Sequence, residues 1–436
     1  MTARHFTLST AIQFLALALV GILPTLTSAA TVQETVLYSF SRDGSTGNDP
    51  EGAMVADKAG NLYGTTQLGG VNPTNCSNGS GCGTVFELSP PLELGGPWTE
   101  TVIYEFQGGS DGDKPTCTLV IDENGNLYGT SIYYYSQSDY GAVVWELSPP
   151  GQMGGAWTFT QLYNIPSVYL GGFNTGNLLR DRAGNLYGTT TSGGTACPPH
   201  GCGTVYEVSP PLQSGGNWTG AVIYNFQGGA DGQNFATSLA IDRKGALYGG
   251  AWTGTSDIAF QLVPPSQSGG AWTKNVIFSF SEIAVFYGLV FDTKGNLYGA
   301  SVDGPNDQGC RNRQGCGYVF ELSPPLQAGG AWTETVLYNF KGGADGWYAL
   351  APPILDGYGN LYGTTYEGGV NKGGTAYELV APVSSGGAWT ERRFPLGNNS
   401  SDYGPTGALM FGPGKGVTGT GTGSFEGGGV FSISVQ

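Results

Sequence analysis

The chain has 436 residues, with 17 Lys and Arg against 33 Asp and Glu and a net charge of −16. So acidic a chain, with no basic run and no basic-aromatic stripe, is repelled by nucleic acid and by anionic membrane surfaces, and nucleic acid is excluded as a partner. Its 76 glycines and 25 prolines recur at fixed spacing beside β-branched and aromatic runs, which excludes a low-complexity chain and reads instead as turns between strands.

Residues 1–30 have the form of a secretory signal peptide. Arg4 supplies the charge, Ala11 to Leu23 is an apolar run, and Thr27-Ser28-Ala29-Ala30 offers small residues for cleavage after Ala29 or Ala30. An uncleaved anchor is the alternative. No later segment has 18 apolar residues in a row, so no transmembrane segment is expected in the processed chain. The expected location is outside the cytoplasm, either extracellular or in the periplasm and cell envelope.

From there the chain repeats. Glu34-Thr35-Val36-Leu37-Tyr38-Ser39-Phe40 is a β-branched and aromatic strand that returns as Glu100 to Phe106 and Glu334 to Phe340. Asp57-Lys58-Ala59-Gly60-Asn61-Leu62-Tyr63-Gly64 then opens a hairpin whose Gly suits a positive φ. Leu-Tyr-Gly recurs at Tyr128, Tyr187, Tyr248, Tyr298 and Tyr362, with a worn copy at Val417-Thr418-Gly419. Successive copies lie 65, 59, 61, 50, 64 and 56 residues apart. Gly83-Thr84-Val85-Phe86-Glu87-Leu88 and its copies form a third strand ended by Ser-Pro-Pro, because Pro cannot continue a ladder. A Gly-Gly-x-Trp-Thr loop then leads into the fourth strand.

Four short antiparallel strands per unit, seven units and no amphipathic helix predict an all-β, seven-bladed β-propeller occupying residues 31–436 as a single domain. The last unit stops after its third strand at Val435. The strand from Glu34 to Phe40 would supply the missing fourth and close the ring, leaving no open edge. Six blades are the alternative, because the seventh turn, Phe411-Gly412-Pro413-Gly414, lacks its Asp.

Six of the seven cysteines fall in close pairs, Cys76/Cys82, Cys197/Cys202 and Cys310/Cys316, between the second and third strands. In an oxidising compartment they read as three local disulfides; metal thiolates, the alternative, would need Cys-x-x-Cys knuckles or more histidines than His200. Cys117 is left over as a buried strand residue.

Asp-x-x-Gly-Asn-Leu-Tyr-Gly-Thr-Thr, followed by Gly-Cys-Gly-Thr-Val-Phe-Glu-Leu-Ser-Pro-Pro and Gly-Gly-Ala-Trp-Thr-Glu-Thr-Val-Leu-Tyr, resembles the Gloeo/Verruco (GloVer) repeat over nearly all of Glu34 to Val435. That resemblance implies an exported bacterial protein of the choice-of-anchor tandem-repeat type, and no known activity. The turn is more distantly similar to NHL-type propeller repeats.

In a propeller, the loops between blades share a face with the loops joining second and third strands. The first set supplies Asp111, Asp113, Asp231 and Asp345, with Trp347 beside the last, and Asp43 and Asp49 in a longer variant. The second supplies Tyr133, Tyr134, Tyr135, Tyr140, His200, Trp252, Arg311 and Arg313. An acidic and aromatic face is suited to stacking on sugar rings, to a protein of the cell surface, or to a hard cation such as Ca²⁺, although no loop follows the EF-hand pattern. Against this stands the plainer reading that Asp-Gly is good turn chemistry repeated with the blade.

The Asp57, Asp122, Asp181, Asp242, Asp292 and Asp356 series reads as turn structure, and the repeated tryptophans as core or inter-blade packing. The glutamates Glu87, Glu146, Glu207, Glu321 and Glu378 read as facing solvent or bonding a neighbouring blade. His200 alone supports no catalytic triad, and no catalytic residue is assigned. The expected function is an exported, non-enzymatic binding or scaffold module. A glycosidase or lyase using loop-face carboxylates is the first alternative, and a structural role in the cell envelope the second.

Overall fold

The computed structural model describes residues 32–41, 46–70, 76, 80–93, 95–115, 118–136, 139–152, 154–165, 176–213, 215–233, 237–267, 269–281, 285–304, 310, 315–327, 329–384, 386–397, 404–412, 416–421 and 428–435. Side chains at 32–33, 133–136, 139–140, 421 and 434–435 are excepted. The expected signal peptide, Asp43, Cys117, Arg311, Arg313 and the side chains of Tyr133, Tyr134, Tyr135 and Tyr140 lie outside the described residues.

Seven four-stranded antiparallel sheets form a ring, and none of the described residues is α-helical. Blade 1 comprises Asn48–Ala56, Leu62–Leu68, Thr84–Ser89 and Thr99–Glu105. Blades 2 to 6 open with the short strands Val120–Ile121, Leu179–Arg180, Ala240–Ile241, Val290–Phe291 and Ile354–Leu355. Their fourth strands are Thr158–Ile165, Thr219–Asn225, Thr273–Ser279, Thr333–Asn339 and Thr390–Pro395. Blade 7 takes Met410–Phe411, Val417–Gly421 and Gly429–Val435 from the end of the chain and Val32–Ser39 from its beginning. The last two pair from Val32↔Val435 to Ser39↔Gly429. The ring therefore has seven blades, not six. The seventh turn closes without an Asp, through the Gly412 amide on the Gly416 carbonyl at 3.0 Å.

The Leu-Tyr-Gly motif builds each blade. Its Leu is wholly buried in blades 1 to 6. Its Gly sits opposite an aromatic residue of the third strand: Gly64↔Phe86, Gly129↔Trp145, Gly188↔Tyr206, Gly299↔Phe320, Gly363↔Tyr377 and, in the worn copy, Gly419↔Phe431. The ring lies flat over the glycine. A Cβ at Gly188 would stand 2.2 Å from the Tyr206 hydroxyl, and one at Gly64 2.5 Å from Phe86. Only the absence of a side chain lets the large ring fill the blade core.

Blades join at three radii. Nearest the axis, a chain of hydrogen bonds runs between first strands: Ala53 amide to Thr118 (2.9 Å), Thr118 amide to Asn177 (2.9 Å), Asn177 to Ser238 (2.8 Å) and Ser238 amide to the Tyr287 carbonyl (2.8 Å). At the seam, the Thr420 hydroxyl of blade 7 donates to the Gly52 carbonyl of blade 1 at 2.7 Å. Further out, four of the six loop tryptophans pack on the Leu-Tyr-Gly tyrosine of the preceding blade: Trp157 on Tyr63, Trp218 on Tyr128, Trp272 on Tyr187 and Trp332 on Tyr248, with centroids 5.9–6.2 Å apart.

The outermost layer links fourth strands, and its second position varies with its partner. Glu100 accepts from the Tyr38 hydroxyl (3.5 Å), Phe159 stacks on Tyr104 (4.9 Å), Gly220 makes room for Tyr163, and Glu391 accepts from Tyr338 (2.7 Å). Burial lifts the Glu100 carboxyl to about 7 against the Tyr38 hydrogen bond. It lifts Glu391 to about 7 likewise, the nearby Asp345 charge adding to the effect and Tyr338 and Arg393 opposing it.

Candidate functional site

The inter-blade loops do share a face with the cysteine loops, as the topology predicts. The Lys114 amide donates to the Cys82 carbonyl at 2.8 Å, and Gly228 lies against the sulfurs of Cys197 and Cys202. All three expected disulfides are present, Cys76–Cys82, Cys197–Cys202 and Cys310–Cys316, with Cα separations of 5.0, 5.3 and 5.5 Å.

On that face the loop aspartates are engaged within the chain. Asp111 is buried and accepts from the Tyr104 hydroxyl (2.9 Å) and the Gln107 (2.9 Å) and Gly109 (3.2 Å) amides. Asp231 accepts from Tyr224 (2.7 Å) and the Gln227 amide (2.8 Å), and pairs with Lys274 at 2.9 Å. Burial works against its charge, but the bonds from Tyr224, Lys274 and Gln227 outweigh it and hold the carboxyl below its ordinary value. Asp345 is buried, accepts from Tyr338 (2.9 Å) and the Lys341 amide (2.7 Å), and pairs with Arg393 at 3.2 Å. Each thus fastens an inter-blade loop to the fourth-strand tyrosine before it.

These aspartates belong to alternate junctions, 1–2, 3–4 and 5–6, and form no common cluster. Asp113 is buried and pairs along the backbone with Ile132. Trp252 and Trp347 are half-buried and pair with Gln233 and Glu367 at the loop edges. His200 is exposed in its stapled loop. Asp49 has a left-handed φ of 56°, and burial raises its carboxyl above the ordinary range; Glu51 beside it is raised for the same reason. Among the described residues, no group of three or more His, Cys, Asp or Glu is placed to hold a metal ion.

The turn aspartates are structural in full detail. Asp57 Oδ1 accepts from the Ala59 (2.8 Å) and Asn61 (2.9 Å) amides, and Oδ2 from the Asn61 side chain (2.8 Å) and the Tyr63 hydroxyl (3.2 Å). The same set recurs at Asp122, Asp181, Asp292 and Asp356. In blade 4 the Asn is Ala246 and only three bonds form.

The third-strand glutamates neither face solvent freely nor bond a neighbouring blade. They bind within their own blade, Glu207 to Tyr187 (3.1 Å) and Glu378 to Tyr362 (2.8 Å) and Arg392 (3.0 Å). Burial and these carboxylates push the tyrosine hydroxyls far above their usual range. In blade 4, where Gln261 replaces the glutamate, Tyr248 is pushed only to about 12.

The opposite face, carrying the Asp-x-x-Gly turns and the Gly-Gly-x-Trp loops, holds a feature that the repeat pattern alone did not flag. A groove of about 1200 Å³ runs between blades 5 and 6. One wall is the turn Asp292 to Asn296 with Tyr298, Glu321 and Thr335. The other is the turn Asp356 to Gly359 and the loop from Ala381 to Trp389. The Ala381 amide on Asn360 Oδ1 at 3.0 Å ties that turn to that loop. Tyr358 stands 91 % exposed at the rim. At its place in the turn the other blades carry Ala59, Asn124, Ala183, Lys244 and Lys294, so Tyr358 breaks the repeat. That break was the available signal. The groove offers two aromatic faces, Tyr358 and Trp389, beside carboxylate, ammonium and hydroxyl groups of Glu321, Lys294 and Thr335.

No curated protein matches the sequence. Among solved structures, the PQQ-bound aldose sugar dehydrogenase of Streptomyces coelicolor is similar at 14% identity, covering 84% of this chain and 98% of that one, with a TM-score of 0.44. A protein from Lactobacillus plantarum is similar at 11% identity, covering 80% and 86%, with a TM-score of 0.49. The apo soluble aldose sugar dehydrogenase of Escherichia coli is similar at 11%, covering 93% and 100%, with a TM-score of 0.43. Likenesses at this level carry no argument about activity. The Gloeobacter/Verrucomicrobia repeat model matches residues 20–263, more than half of the chain, together with the repeated turn, glycine and tryptophan positions described above, and the protein therefore belongs to the Gloeobacter/Verrucomicrobia repeat family.

Proposed function

We propose that the protein is an exported, non-enzymatic binding propeller that holds a saccharide in the groove between blades 5 and 6. The observation that carries this reading is the exposed Tyr358 beside Trp389 in a cavity large enough for an oligosaccharide. Aromatic faces stack on the apolar faces of sugar rings, while Glu321, Lys294 and Thr335 match hydroxyl groups. Export is supported by the three disulfides, which persist in oxidising compartments. Among the described residues no helix is long and apolar enough to cross a membrane.

The non-enzymatic part rests on how the carboxylates are used. Glycoside hydrolysis by the common route needs two carboxyl groups facing one cleft. Glu100 and Glu391, the two carboxyls lifted to about 7, belong to different junctions, 7–1 and 5–6, and each is bonded to a tyrosine. The groove's Asp292 and Asp356 are engaged by their own turns, and its Glu321 accepts from the Ser323 hydroxyl at 2.7 Å.

The test is a glycan array, with and without Ca²⁺, probed with the mature chain and with Tyr358→Ala, followed by product analysis of every hit. Binding without turnover that weakens about tenfold or more in Tyr358→Ala is expected, in keeping with the loss of one stacking face. Product release would overturn the non-enzymatic reading. Loss of binding in Trp252→Ala or Trp347→Ala, but not in Tyr358→Ala, would move the site to the disulfide-bearing face.

A further inference from the structure

Junction 5–6 carries one carboxylate more than its donors serve. At junctions 1–2 and 3–4 the fourth-strand tyrosine bonds the loop aspartate, Tyr104 to Asp111 and Tyr224 to Asp231, and the residue facing them is Phe159 or Lys274, which adds no second acid. At junction 5–6 that residue is Glu391. The Tyr338 hydroxyl stands 2.9 and 3.0 Å from the two Asp345 oxygens and 2.7 Å from Glu391 Oε2. A phenol has one proton to give. Arg393 spans the pair at 3.2 Å to each, from Nη1 to Asp345 Oδ1 and from Nε to Glu391 Oε2. Glu391 Oε1 is buried with no hydrogen-bond partner. Two carboxylates against one guanidinium leave a negative charge over, and a proton held between the two acids removes it. The other neighbours do not: Lys341 Nζ lies over the Tyr338 ring, 5.6 Å from its centroid, Arg392 is paired with Glu378, and Tyr377 is a buried phenol. Burial, with the Asp345 charge adding to it, accordingly lifts Glu391 to about 7.

This junction is the one that holds the groove. Thr335, Val336 and Leu337 line it from the fourth strand of blade 5, and Ala388 and Trp389 from the entry to the fourth strand of blade 6. Tyr338 is the next residue along the first wall, and Glu391 is two residues on from Trp389 along the second. Their contact therefore joins the two walls just beyond the groove lining. The two strands belong to separate sheets with no ladder between them, so side chains alone hold them together. Closure is complete below the value of an unfolded glutamate, near about 4.3, and is lost as pH rises through the folded value of about 7. Above it two buried carboxylates in contact repel, Arg393 neutralises only one, and the strand that follows Trp389 loses its hold on Tyr338.

We propose that a proton on the Glu391–Asp345 pair holds the groove between blades 5 and 6 in its binding shape, and that the groove loosens and releases its ligand when the pair loses that proton. The proposal rests on the saccharide reading for its ligand and on the junction alone for its mechanism. The test is hydrogen exchange of the mature chain at pH 6 and pH 8, corrected for the intrinsic pH dependence of exchange, together with the glycan array at the same two pH values. Wild type, Glu391→Gln and Glu100→Gln are compared. The carboxamide of Glu391→Gln accepts from Tyr338 and donates to Asp345, which is the pattern of the protonated acid. Glu100→Gln removes a carboxyl lifted to about 7 at junction 7–1, away from the groove. Amides of residues 333–339 and 388–395 are expected to lose roughly tenfold in protection between pH 6 and pH 8 in the wild type and in Glu100→Gln, and to keep it in Glu391→Gln. Any glycan held in the groove should weaken by a like factor, because a form competent only when protonated is about one-tenth populated one pH unit above its titration. Unchanged protection in the wild type, or an equal loss in Glu391→Gln, overturns the proposal. So does a glycan that the wild type holds equally well at both pH values. An array blank at both overturns the saccharide reading instead, and the exchange result then decides whether the junction is proton-held.

Discussion

Gly188 shows what a single repeated residue does. Its backbone needs no left-handed φ; what it supplies is the space that the Tyr206 ring fills, 2.2 Å from where a Cβ would be. Gly188→Ala should therefore destabilise the protein by about 1–3 kcal/mol, the usual cost of overpacking a filled core. Gly151→Ala, at an exposed loop tip with nothing within 4 Å, should change stability by less than about 0.5 kcal/mol. Denaturant melts of the two variants check this, and equal effects would refute the packing account. The repeat of the glycine was legible in the sequence. Its reason was not, because the ring lies 18 residues away on the next strand. The loop aspartates show the opposite limit. Asp111, Asp231 and Asp345 stand out in the sequence as one acidic set, yet a residue string does not show that Tyr104, Tyr224 and Tyr338, seven positions earlier in each case, already hold them.

At the scale of the element, the outer layer between fourth strands is sensitive to pH. An unfolded Glu titrates near about 4.3, whereas folding holds Glu391 and Glu100 at about 7. Between those values the folded state binds more protons than the unfolded one. Stability is therefore highest below the unfolded value and is lost as pH rises through the folded one. The melting temperature should fall from about pH 5 to pH 7 and then level off. Glu391→Gln keeps an acceptor for Tyr338 and removes one titration, so it should flatten part of that slope, and Glu100→Gln with it a further part, Asp49 and Glu51 keeping some of the remainder because burial raises them too. An undiminished slope in the double variant would show that these junctions do not control it. Each such junction has its own chemistry, Glu on Tyr, Phe on Tyr, Gly under Tyr or Lys on Asp. This is why the fourth strands align poorly in sequence although they occupy the same place.

The whole molecule depends on its closure. Val32–Ser39 covers the edge of Gly429–Val435, and Thr420 reaches Gly52 in the next blade. Removing residues 32–40 should expose that edge and produce concentration-dependent association with loss of a single cooperative melt, measured by light scattering and calorimetry. A truncated chain that stays monomeric and melts as before would mean that the ring holds without its seam. The closed ring also separates two working faces. One carries the disulfides and the engaged aspartates; the other carries the groove with Tyr358.

By itself the sequence determined the strand count per blade and the three cysteine pairings, and it favoured seven blades with a seam between chain ends over six. Each of these follows from local periodicity, turn chemistry or short spacing, which a single strand of text contains. The tertiary structure decided which carboxylates are already bound, why the repeated glycines are there, and that blades 5 and 6 leave a groove beside Tyr358. Those depend on distances between side chains of different strands and blades, set only when the ring closes and each buried polar group takes its partner.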